Sequence, residues 1–71
     1  MIVDIINKKR LGLELSYSEL DFFFNGYLKG KVKDYQMSSL LMAICINGMS
    51  HREIFDLTKI FIDFYMNSSK S

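Results

Sequence analysis

The chain contains few side chains that could serve as a nucleophile, a general base or a metal ligand. His51 is its only histidine and Cys45 its only cysteine. A general base needs a reacting group within hydrogen-bond reach, and the sequence around His51 supplies none. A structural zinc site takes four ligands, so these two residues are too few to form one. We therefore predict no catalytic residue, no metal site and no cofactor site in this chain.

The charged and aromatic side chains offer no clearer chemistry. Two basic clusters, Lys8-Lys9-Arg10 and Lys29-Lys31-Lys33, fit a phosphate site, but they fit charged helix ends and a solvated loop better. The run Phe22-Phe23-Phe24 is more typical of a core than of a base-stacking platform, which comes with a basic groove. The carboxylates are scattered, and the net charge is only +1. We expect neither nucleic acid nor a membrane as a partner.

Local signals define the helices that would have to position any site. Ser16 to Glu19 and Ser50 to Glu53 both fit the capping box, in which a hydroxyl and a carboxylate satisfy each other's backbone donors. Glycines after apolar stretches predict helix ends, at Gly12, Gly30 and Gly48. The predicted elements are helix 1 at about residues 2–11, helix 2 after Ser16, helix 3 from an N-cap at Asp34 to about Asn47, and helix 4 after Ser50.

These elements predict an all-α fold, a small bundle of about four helices joined by short loops. We place the domain at residues 1–66 and a disordered tail at 67–71. Residues 35–50 contain no Lys, Arg, Asp or Glu, so helix 3 is expected to be a buried central helix or to be covered by a partner. Gly26 within helix 2 indicates a close approach by a neighbouring helix.

Helix 4 shows two stripes in the sequence. The apolar stripe is expected to face the core and consists of Ile54, Leu57, Phe61, Phe64 and Tyr65. The charged stripe is expected to face water and consists of Arg52, Asp56, Lys59 and Asp63. Further apolar residues make the apolar arc wider than one core contact needs.

The small size of the chain favours association. Its 71 residues bury a limited core, and a single cysteine excludes an internal disulfide. Nearly half of the residues are apolar, and large exposed apolar patches usually mark association sites. We predict a homodimer through helical surfaces. The predicted interface consists of Ile2, Ile5, Ile6, Leu41, Ile44 and Cys45.

Several segments together resemble a known family. They are Val3-Asp4-Ile5-Ile6, Lys8-Lys9-Arg10, Gly12, Asp34-Tyr35-Gln36-Met37-Ser38, Gly48-Met49-Ser50 and Glu53. Over most of residues 3–58 the chain resembles the N-terminal helical domain of pyrimidine-nucleoside phosphorylases, including thymidine phosphorylase. The related domain of anthranilate phosphoribosyltransferase has a looser pattern. The Asp-Ile-Ile, Lys-Lys-Arg and Asp-Tyr-Gln-Met segments favour the nucleoside phosphorylases.

The resemblance implies reversible phosphorolysis of a pyrimidine nucleoside to a free base and a pentose 1-phosphate. In that family a helical domain faces a larger α/β domain, which is therefore an expected partner, and the first helices carry dimer contacts. The family's phosphate loop and base-binding residues follow the helical domain. This chain stops before them, so no catalytic residue can be assigned, and the chain alone is expected to be inactive.

Two other hypotheses stay open at this stage. One is a free-standing helical interaction module without catalytic activity. The other, a small nucleic-acid-binding domain, is weaker because helix 3 carries no basic side chains and helix 4 has mixed charge. The start of the chain does not read as a signal peptide, and the single free thiol fits a reducing compartment, so we expect a cytoplasmic location.

Overall fold

The computed structural model of the chain describes residues 1–68 and contains four α-helices. They are α1 (Ile2–Arg10), α2 (Tyr17–Leu28), α3 (Asp34–Asn47) and α4 (His51–Ser68). The described residues contain no β-strand, so the predicted all-α class with short loops is confirmed. Helix α4 continues past the predicted domain limit at residue 66. Residues 69–71 of the predicted tail lie outside the described part of the chain.

Both predicted capping boxes are present. At the start of α2, the Glu19 N–H donates to Ser16 Oγ over 3.2 Å, and the Ser16 N–H donates to Glu19 Oε1 over 2.9 Å. At the start of α4, the Glu53 N–H donates to Ser50 Oγ over 3.1 Å, and the Ser50 N–H donates to Glu53 Oε1 over 2.8 Å. Each pair satisfies two backbone donors that a helix start leaves without a partner.

The start of α3 differs from the prediction by one residue. Lys33 is the N-cap, and Asp34 is the first helical residue. The Asp34 carboxylate does not cap the helix, since it accepts a hydrogen bond of 3.0 Å from the Tyr27 hydroxyl. The side chain of Gln36 provides the cap instead, because its Oε1 accepts from the Lys33 N–H over 2.9 Å.

The four helices pack as two pairs around one core. Helix α1 lies against α3, and α2 lies against α4. The buried side chains between the pairs form one hydrophobic cluster, which comprises Ile5, Ile6, Leu15, Leu20, Phe23, Phe24, Val32, Met37, Leu40 and Ile60. Leu15 and Val32 come from the connections before and after α2, so the loops complete the core that the helices enclose.

Helix α3 is not the buried central helix that the sequence predicted. Its buried residues, Met37, Leu40 and Ala43, lie on the face toward α1. The opposite face is exposed to solvent although Asp34, at the helix start, is the only charged residue of α3. The arrangement in two pairs explains this exposure, because α3 has a neighbour on one side only.

The rotation of α4 also differs from the prediction. Glu53, Asp56 and Ile60 are buried, whereas Ile54, Phe61 and Tyr65 of the predicted core stripe are exposed. Leu57 and Phe64 of that stripe are half-buried, as predicted for a core position. The helix is turned so that Glu53 faces inward, and the excess of apolar residues therefore lies on its outer side.

Gly26 marks a close contact, but the neighbour is not a helix. A Cβ atom at this position would lie 3.0 Å from Val32 Cγ2, in the connection between α2 and α3. The Gly26 carbonyl also accepts hydrogen bonds from the backbone N–H groups of Lys31, over 2.7 Å, and Val32, over 3.1 Å. A small residue at Gly26 thus lets the connection fold back onto α2 and bury Val32.

Candidate functional site

The most buried ionised group in the described structure is the carboxylate of Glu53. Lys9 Nζ of α1 donates to both of its oxygens, over 2.8 and 2.9 Å. The backbone N–H of Leu15 donates to Oε2 over 2.8 Å, and that of Ser50 donates to Oε1 over 2.8 Å. The exposed fractions of the two charged side chains are 4% for Lys9 and 1% for Glu53. Glu53 therefore joins α1, the loop after α1 and the start of α4.

Helix α3 is attached to the same place by its last residue. Asn47 Nδ2 donates to the Lys9 carbonyl over 2.9 Å and to the Arg10 carbonyl over 3.1 Å. These carbonyls belong to the last turn of α1, beyond the reach of the regular helical hydrogen bonds. The Lys9 carbonyl also accepts from the Gly12 N–H over 2.9 Å. Ser50 Oγ also hydrogen-bonds to the Glu14 carboxylate of the loop. We call Lys9, Asn47 and Glu53 the polar junction, since they connect α1, α3 and α4.

The pKa of Glu53 reflects two opposing effects. Burial acts to raise it, because a charged carboxylate loses its water. The hydrogen bond from Lys9 and those from the N–H groups of Leu15 and Ser50 act to lower it, and together they prevail. The pKa of Glu53 therefore lies below its ordinary value, so the carboxylate is ionised in the folded chain at neutral pH.

The polar junction is suited to holding helices together rather than to catalysis. Both Glu53 oxygens already accept two hydrogen bonds each, and the side chain is shielded from solvent. A general base must reach the proton that it removes, and no substrate can approach this carboxylate. The junction was not predicted from the sequence, although Glu53 continues the helical spacing of Leu57, Ile60 and Phe64 toward the helix start.

The other candidates for chemistry lie apart from one another. His51 is exposed, and Lys29, Lys31 and Lys33 all face solvent. The first basic cluster is divided, because Lys9 is buried in the junction and Lys8 donates to Glu19 Oε1 over 2.8 Å. The pKa of Glu19 lies below its ordinary value. The hydrogen bond from Lys8 is the main cause, and the hydrogen bond from the Ser16 N–H is the second. Within residues 1–68 no three His, Cys, Asp or Glu side chains are grouped to hold a metal ion.

The aromatic run belongs to the core. Phe23 and Phe24 are buried and Phe22 is partly exposed. The Phe24 ring meets the Phe61 ring edge to face, with the centroids 5.7 Å apart. This packing between α2 and α4 agrees with the interpretation of the run as a core segment.

The six residues predicted to form a dimer interface occupy three environments. Ile5 and Ile6 are buried in the core, with 1% and 8% exposed. Ile2 and Ile44 are partly buried against that core. Leu41 and Cys45 lie on the outer side of α3. The assignment of an interface to these residues stays a prediction.

The outer side of α3 carries a group of exposed uncharged side chains that we call the α3 surface. It consists of Tyr35, Leu41, Met42, Cys45 and Ile46. Ile46, next to the end of α3, and Met42 have exposed fractions of 74% and 61%, which is high for large apolar side chains. Ser38 and Ser39 are also exposed on this helix, and such small side chains permit a close approach.

No helix within residues 1–68 has the length and hydropathy needed to cross a membrane. The fold and the polar junction together define a small all-α bundle domain whose two helix pairs are tied by buried hydrogen bonds. Residues 3–64 match the model of a family described as the glycosyl transferase family, helical bundle domain. The chain therefore belongs to this family.

Similar proteins are nucleoside phosphorylases. The chain is 50% identical over 62 residues to the pyrimidine-nucleoside phosphorylase of Bacillus subtilis, a match that covers 87% of this chain and 14% of that protein. It is 46% identical over 61 residues to the pyrimidine-nucleoside phosphorylase of Geobacillus stearothermophilus, with coverage of 86% and 14%. It is 42% identical over 62 residues to the thymidine phosphorylase of Mycoplasma genitalium, with coverage of 87% and 15%. The chain thus spans about 14% of the length of these relatives.

Proposed function

We propose that this chain is the helical domain of a pyrimidine-nucleoside phosphorylase and that it contributes the surface through which two copies of that enzyme associate. The observation that supports the enzyme class is the identity of 50% over 62 residues to a protein of that name. The reaction of such an enzyme joins inorganic phosphate to the anomeric carbon of a pyrimidine nucleoside. The products are a free base and a pentose 1-phosphate.

The domain serves this reaction without supplying its chemical groups. The one deeply buried carboxylate, Glu53, is saturated by hydrogen bonds, and His51 is an isolated exposed side chain. We expect the phosphate and the base to be bound by parts of the parent enzyme outside these 71 residues. An α/β domain of the parent enzyme is accordingly a proposed partner of the helical domain.

A phosphorolysis assay tests the first part of the proposal. The purified chain is mixed with thymidine or uridine and phosphate, and free pyrimidine is measured by chromatography. We expect no phosphate-dependent release of the base. A preparation from the same host that carries an unrelated protein controls for contaminating enzyme. Release above that control would overturn the assignment of chemistry to other parts of the enzyme.

The α3 surface supports the second part, a homodimer. It carries large exposed apolar side chains and no charge, and water solvates such a surface poorly. Two-fold pairing is the commonest closed arrangement, and it brings the same patch of two copies together. Leu41 and Cys45, two of the residues predicted to form the interface, lie in the α3 surface. A substitution that introduces a charge at Leu41 should therefore oppose pairing.

Sedimentation equilibrium tests the homodimer. The variant Leu41→Glu is compared with the original chain at micromolar concentration, and circular dichroism at 222 nm verifies that its helix content is retained. We expect a lower mass for the variant, because pairing would bury two uncompensated carboxylates. Leu13→Glu places the same charge in the loop between α1 and α2 and serves as the control. Equal masses for the original chain and Leu41→Glu would refute the α3 surface as an interface.

The second candidate function is a free-standing association module. The observation in its favour is that apolar side chains remain exposed on two helices, α3 and α4, so that the chain offers binding surfaces by itself. The neighbouring DNA distinguishes the two candidates. A reading frame that continues in frame into a Lys-His-Ser segment and a glycine-rich loop supports the enzyme domain, whereas a stop codon after residue 71 supports the module.

A further inference from the structure

We draw no further inference here: the strongest candidate, the apolar patch of Ile54, Phe55, Phe61, Ile62 and Tyr65 on the outer side of α4, lies in a chain that spans about 14% of the length of its relatives, and nothing in the structure shows what covers this patch.

Discussion

The substitution Glu53→Gln removes one charge from the polar junction while it preserves the shape of the side chain. Lys9 then keeps its positive charge at a position with only 4% of its side chain exposed. The Gln amide also presents a donor where the carboxylate presented acceptors. Each carboxylate oxygen accepts two hydrogen bonds, one from Lys9 Nζ and one from a backbone N–H, so the Gln NH2 group faces two donors where the oxygen that it replaces accepted from both.

The expected loss follows from these two effects. Removal of one partner of a buried ion pair costs about 3–5 kcal/mol of stability. This range already includes the cost of buried donors that lose their acceptor. A 71-residue domain has a total free energy of unfolding of roughly 4–10 kcal/mol. Glu53→Gln should therefore remove about a third or more of the free energy of unfolding.

Urea unfolding at pH 7, followed by circular dichroism at 222 nm, measures this loss. Glu19→Gln is the matched control, because Glu19 holds the same position in the other capping box and pairs with Lys8 over 2.8 Å. Its side chain is 22% exposed, and the loss expected there is about 1 kcal/mol.

A double substitution tests the cause of the loss. Lys9→Met added to Glu53→Gln removes the uncompensated buried cation, so part of the lost stability should return. Two results would refute the reasoning. One is a loss for Glu53→Gln no larger than that for Glu19→Gln, and the other is a double variant less stable than Glu53→Gln alone.

Three further predictions follow from the same structure. The pKa of Glu53 is lowered in the folded chain. The contribution of this carboxylate to stability is therefore complete above the unfolded pKa of about 4.3 and is lost as the pH falls through the folded value. Urea unfolding between pH 2 and 7 should show this loss of stability, and the Glu53→Gln variant should show a smaller loss. Ser16→Ala and Ser50→Ala should each cost about 1 kcal/mol in thermal unfolding, because each hydroxyl accepts from a backbone N–H at a helix start; no change in either would contradict the capping role. Gly26→Ala gains about 1 kcal/mol of helix propensity, but its Cβ would lie 3.0 Å from Val32 Cγ2, so a net loss of about 1 kcal/mol is expected; a more stable variant would show that Val32 moves away freely.

Signals that act within a few residues could be predicted from the sequence. The capping boxes at Ser16 and Ser50 were found because hydroxyl and carboxylate lie three residues apart, and the hydrogen bonds confirm both. The helix ends at Gly12 and Gly30 were found because glycine readily adopts the left-handed conformation that ends a helix, and both glycines have a φ of +81°. Such features depend on the backbone nearby and on little else.

Contacts between distant residues could not be predicted in the same way. The pairing of Lys9 with Glu53 spans 44 residues, so the sequence gives Lys9 only as a cation at a helix end and Glu53 only as a capping residue. Their contact turns α4 about its axis and thereby exposes Ile54, Phe61 and Tyr65, which the pattern had assigned to the core. Similarly, the absence of charge from residues 35–50 predicts that helix α3 is covered, but it does not distinguish burial within the chain from burial by a partner.

The hydrogen bonds from Asn47 to the end of α1 have a consequence for the order in which the chain folds during synthesis. Helix α1 has nine residues, and an isolated helix of that length is unstable in water. The groups that hold it in place are Met37, Leu40, Asn47 and Glu53, all of which leave the ribosome after it. The first helix in the sequence is therefore among the last to form, and its amide protons should exchange with solvent water until residue 53 is available to bind Lys9.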